Sequence, residues 1–257
     1  MPVSDEFDFG ALDEEREEEA LGRELGLLFS RRKRFGRRIE GTDGADFEGE
    51  PIFDLNCTGC PVADCGPQLR QAMRKAIKLA LNAADKLEAT ISVERDQRGP
   101  DARKTAQQFM EFFCHDPLLP IPWAGGEASG VSIVKRLRAV AKELGGGRKM
   151  PFKCLPTLFP CTESTCCPDQ IAVVQKGEPI ALCENFWKES EFDDLATVDQ
   201  RAGFLIHEML HFLFGSTKSE RGILDMGPKR GIADCYESFV MRVNGLLVLR
   251  GKCKKCT

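Results

Sequence analysis

The sequence predicts an α+β domain of several helices and a small sheet, rich in disulfides and organised around one apolar helix. Three observations carry this. Apolar residues recur at helical spacing in several separated stretches, whereas β-branched runs are few and short. Cysteine occurs 12 times, an even number spread from Cys57 to Cys256, as in a disulfide framework. Residues 203–215, GFLIHEMLHFLFG, are apolar apart from His207, Glu208 and His211, and the whole chain has only 3 histidines.

A chain of 257 residues, 42% hydrophobic and 30% charged, can bury a sizeable core. A net charge of -4 argues against a nucleic-acid partner, which would need clustered Lys and Arg. No apolar run reaches the ~18 residues of a membrane span, so none is expected. Residues 1–50 differ from the rest: acidic DEEREEEALGREL runs into the basic block Arg31–Arg38 and then into EGTDGADFEGEP. This predicts a charged, partly disordered extension, with a pro-segment or export leader as the sharper alternative. Its start lacks the basic and apolar regions of a standard secretory signal. The cysteines nonetheless point to an oxidising destination, so secretion or export by another route is expected.

Residues 51–257 form the predicted domain. Leu69, Met73, Ile77, Ala80, Ala84 and Leu87 line one face of a helix over residues 66–90. A second helix is expected from Asp101 to Phe113, and a third from Val131 to Leu144 before Gly145–Gly147. Residues 151–179 are rich in Cys and Pro. IAVVQ and PIALC, flanking the turn KGEP, are the strand candidates. Asp199 or a nearby polar residue starts the helix holding HEMLH, and a last helix runs from Ala233 to Leu249 before GKCKKCT.

On a helix, His207 and His211 stand one turn apart on one face and can reach one ion. Glu208, displaced by about 100°, sits on the rim of that face, where it can hold a water without ligating. This is the physical content of H-E-x-x-H: two imidazoles for zinc and a carboxylate as general base. The apolar flanks would bury these groups, which is costly unless something binds them. Catalytic zinc needs a third protein ligand and an open position for water. His115 lies far upstream, and Glu220 and Asp225 sit in a loop. Asp234 and Glu237, three residues apart near the start of the last helix, share a face.

Together, GFLIHEMLHFLFG and GIADCYESF resemble the aspzincin metallopeptidases, the deuterolysin and peptidyl-Lys metalloendopeptidase group. There an Asp inside G-x-x-D completes H-E-x-x-H, and Gly231-Ile232-Ala233-Asp234 matches, with Ile where Thr is often found. PIALCENFW looks like the family's edge strand with its Cys and aromatic pair, and NCTGC…LRQAMRKAIKLALNAADKL like its N-terminal Cys and Ala-rich helix. The resemblance covers roughly Ile52 to Gly251 and is strongest from Ile180 to Phe239. It implies a zincin-like fold with an HExxH active-site helix, one catalytic zinc ion, and Asp234 as third ligand, with Glu237 the runner-up. It also implies endopeptidase activity on a protein or peptide substrate, with Glu208 as base.

Two departures stand out. Many members carry a Tyr three residues after the ligand Asp; here that position is Glu237. The chain's single Tyr, Tyr236, follows Asp234 by two residues, about 200° around the helix, so its catalytic role is in doubt. Lysine-selective members carry later acids that could pair with a substrate Lys. Glu237 is the one acid after Asp234 here, so lysine preference is not expected. A zinc-containing binding protein without turnover is the alternative function. Cys57, Cys60, Cys253 and Cys256 have the ligand count of a structural zinc site but equally suit disulfides joining the two ends of the domain.

Overall fold

One long helix, α1 (Cys65–Ile91), organises the fold of the computed structural model. The structure describes residues 51–119, 128–147, 149–160, 162, 165–168, 170–174, 179–187, 194–214, 233–246 and 253, without the side chains of 147 and 194–197. The expected extension over 1–50 lies outside these. The predicted stripe of α1 is buried, and Ala72, Ala76, Leu79 and Ala83 are buried beside it. The buried arc exceeds one face because α1 is a central helix. It packs against α2 (Pro100–Phe113), α3 (Ser129–Lys142), α5 (Asp194–Phe214) and α6 (Ala233–Val243). Alanines on α1 let those neighbours approach closely. The one-turn helix α4 (Glu184–Trp187) completes six among the described residues.

Among the described residues, four short strands form one mixed sheet: β1 (Phe53–Asn56), β2 (Met150–Cys154), β3 (Ala172–Val173) and β4 (Ile180–Leu182), in the order β1-β2-β4-β3. The β1–β2 and β2–β4 pairs are parallel, and β3–β4 is antiparallel. The architecture is α+β, as the sequence predicts. PIALC is not an edge, however: β4 has β2 on one side and β3 on the other, so among the described residues β3 is the edge at that end. Pro151, which has no N–H, is tolerated within β2 because the β2–β4 ladder begins only at Phe152.

Two helix boundaries also differ from expectation. α5 begins at Asp194, so Asp199 lies within the helix and pairs with Lys75 of α1 at 2.7 Å. α6 stops at Val243 rather than continuing to Leu249. Gly245 takes a left-handed φ of 75°, and Leu246 N–H returns to the Met241 carbonyl, a C-terminal stop. Asn244 fastens this end to α1, donating to the Leu79 carbonyl at 3.1 Å.

The described cysteines are paired. Disulfides join Cys57–Cys65, Cys60–Cys154, Cys166–Cys183 and Cys235–Cys253, and Cys114 and Cys167 are also bonded. The four-cysteine zinc site is therefore corrected: Cys57, Cys60 and Cys253 are each committed to a partner outside that set. The same pairs show that Cys57 and Cys60 are not tied to Cys253. Such a framework fits an oxidising compartment. Among the described residues no helix is long and apolar enough to cross a membrane.

Candidate metal centre

HEMLH lies in the second half of α5, whose Leu205, Ile206, Met209 and Leu210 are buried between α1 and α6. This packing holds the helix from several sides. The buried Arg201 guanidinium donates to the Phe186 and Trp187 carbonyls, both at 2.9 Å, fixing α4 to α5. Those charge-assisted bonds satisfy the open end of a one-turn helix. His207 and His211 are half-buried, and Glu208 is buried at 8% exposure.

The two imidazoles meet with ring centroids 4.8 Å apart and Nε2 atoms 3.0 Å apart. From the first turn of α6, Asp234 Oδ1 reaches His207 Nδ1 at 3.2 Å, and Glu237 Oε2 reaches it at 3.4 Å. His207 is thus the hub, with Nε2 toward His211 and Nδ1 toward the carboxylates. Donor atoms of His207, Asp234 and Glu237 all lie within 4.8 Å of one another. Tetrahedral bonds of about 2.0–2.1 Å separate ligand atoms by roughly 3.3 Å; the Nε2–Nε2 contact of the two imidazoles is near that length, whereas Asp234 and Glu237 meet the other ring nitrogen of His207. Two imidazoles and a carboxylate are the donor chemistry of a zinc-type ion.

The electrostatics point the same way. Burial alone would press the His207 imidazole toward neutrality. Hydrogen bonds to Asp234 and Glu237, with the charges of Glu208 and Glu237, outweigh it and push the group up to about 10. The site therefore concentrates negative charge and, without a cation, gathers a proton on His207.

The structure brings His207, His211, Asp234 and Glu237 together, with Glu208 close enough for its charge to act on His207. The Tyr236 ring is 1% exposed and packs edge-on to Phe113 of α2, 5.2 Å between centroids, as a core residue does. His115 lies just beyond α2 and outside this group. Glu220 and Asp225 fall outside the described residues. Sequence reasoning missed Gly203, one turn before His207, where a Cβ would stand 3.2 Å from Glu237 Oε1. The only signal was a glycine inside an apolar helix, which marks close approach or nothing. No family model and no curated protein matches the chain.

Proposed function

We propose that this chain is a zinc-dependent endopeptidase of the aspzincin kind with a zincin-like fold, in which His207, His211 and Asp234 hold one catalytic zinc ion. The observation that supports this is the approach of Asp234, from a separate helix, to His207, which also meets His211 within HEMLH. Zinc, when bound, supplies a Lewis acid that polarises a peptide carbonyl and makes water nucleophilic near neutral pH. Glu208, beside the ligands and shielded from bulk water, accepts the proton as the water oxygen bonds to the carbonyl carbon. It then gives that proton to the amine nitrogen as the C–N bond breaks. An extended substrate pairs best with the outer edge of β3, which lies against α5, rather than with interior β4. The disulfide framework supports a secreted or exported enzyme.

A peptide-library digest read by mass spectrometry, with and without chelator, tests this. Cleavage should vanish with chelator, return with zinc, and show no preference for lysine. Stoichiometric zinc with no cleaved peptide would favour the alternative that Glu237 motivates, a zinc-containing binding protein without turnover. Failure to hold zinc would sink both.

A second expectation follows from the raised His207. At pH 7 the imidazole lies below its value of about 10 and carries two ring protons, whereas a ligating imidazole must be neutral. Zinc uptake by metal-free protein should therefore release about one proton per ion, and affinity should rise about tenfold per pH unit above pH 7. Calorimetry in buffers of different ionisation enthalpy measures this. Uptake without proton release would remove His207 from the ligand set.

A further inference from the structure

Two disulfides meet at one turn, at the far end of β1 from the chain start. β1 ends at Asn56, whose Oδ1 accepts the Thr58 N–H at 2.9 Å, and the Cys60 N–H returns to the Cys57 carbonyl at 3.0 Å. Gly59, third in this turn, takes a left-handed φ of 88° that favours glycine. The turn sets Cys57 and Cys60 beside Cys65, the first residue of α1. The Sγ atoms of the three all lie within 4.8 Å of one another. Yet they belong to two disulfides, Cys57–Cys65 and Cys60–Cys154, the second running to the end of β2. Among the described residues no other disulfide has a third cysteine sulfur so close. Cys57, Cys60 and Cys154 reach solvent, whereas Cys65 is buried.

From this arrangement we infer that the two disulfides form one thiol-exchange site, open to an external dithiol, through which reduction of either bond releases Cys154. The inference is independent of the metal-binding role proposed above. A thiolate of the dithiol attacks one sulfur of Cys57–Cys65, and a mixed disulfide forms as the other sulfur leaves as thiolate. The dithiol's second thiolate then closes its own disulfide and frees the remaining cysteine, so the dithiol is oxidised and the chain gains two electrons. Either freed sulfur stands close to Cys60. Its attack on Cys60 Sγ forms a new S–S bond as Cys60–Cys154 breaks, and the electron pair leaves on Cys154, which takes up a proton. Entry at Cys60–Cys154 leads to the same products. There the freed Cys60 thiolate attacks Cys57–Cys65, and the displaced sulfur takes the proton. Every placement of the one remaining disulfide other than Cys60–Cys154 leaves the Cys154 thiol free. A dithiol that meets the short-loop bond therefore detaches β2 from the turn as well.

The full-chain variant Cys154→Ala tests this without a reductant, because it leaves Cys60 as a thiol beside Cys57–Cys65. After incubation at about pH 8, near the ordinary thiol value, free thiols are blocked with N-ethylmaleimide. The disulfides are then reduced and the released thiols labelled with iodoacetamide. No Lys or Arg lies between Arg38 and Arg70, so trypsin leaves Cys57, Cys60 and Cys65 in one peptide, and fragmentation locates the maleimide. It should appear on Cys57 or Cys65 as well as on Cys60, at comparable abundance. Maleimide on Cys60 alone would overturn the inference. Cys166–Cys183 and Cys235–Cys253 should stay free of maleimide, and its appearance there would show scrambling through the unfolded chain and equally overturn a local exchange site. Native protein with limiting dithiothreitol serves if the variant does not fold. Chains with one disulfide opened should then carry maleimide on Cys154 together with Cys57 or Cys65. Labels confined to the two halves of an original pair would overturn the inference.

Discussion

Glu208→Gln is expected to keep one zinc ion per chain and to lose about 10²- to 10⁴-fold of its peptide cleavage. The substitution preserves shape and hydrogen-bonding capacity but cannot accept a proton. Glu208 is not one of the three groups proposed to hold the metal, so zinc stoichiometry should be unaffected. It is buried within α5, whose fold depends on Leu205, Ile206, Met209 and Leu210 rather than on this carboxylate. Far-UV circular dichroism should therefore be unchanged. The loss should fall on kcat with little change in KM, since the group acts during bond making and breaking and not in holding substrate. A variant that loses zinc would place Glu208 among the ligands. One that cleaves at the native rate would exclude the base role.

The parts of this site legible in the sequence are those set by helix geometry. The spacing of His207 and His211 places two imidazoles on one face whatever surrounds them, and the stripe from Leu69 to Leu87 marks α1 for the same reason. Asp234 and Glu237 were legible as a pair sharing a face, but not as two groups meeting one ring nitrogen of His207. That difference arises from the direction in which α6 crosses α5. Gly203 was illegible for a related reason: the carboxylate it faces stands on another helix. The sheet was the least legible element. FDLN and MPFKC are too short for alternation to show, MPFKC contains Pro151, and their parallel partners lie far apart in the chain. Strand order is a long-range property, so PIALC reads as a strand but not as an interior one.

Among the four disulfides with both cysteines described, that long-range pairing makes Cys60–Cys154 the crosslink with the largest expected effect on stability. It closes a sequence separation of 94 just beyond the last β1–β2 pair, Asn56↔Lys153, whereas Cys57–Cys65 closes a separation of 8. Chain entropy gives about 4–5 kcal/mol for a loop near the longer length and about 2–3 kcal/mol for the shorter. The double variant Cys60→Ala with Cys154→Ala should therefore lose about 4 kcal/mol and about 8–16 °C in Tm. Cys57→Ala with Cys65→Ala should lose roughly half as much free energy. Urea unfolding without reductant, with the remaining disulfides verified by mass spectrometry, measures both. Equal losses would show that local packing at the bridges, and not closure of the loop, sets their worth. The loop encloses α1, α2 and α3 but neither α5 nor α6. Below its lowered Tm the long-loop variant should thus keep native zinc stoichiometry, because the crosslink constrains the unfolded chain and not the geometry of the metal-binding helices.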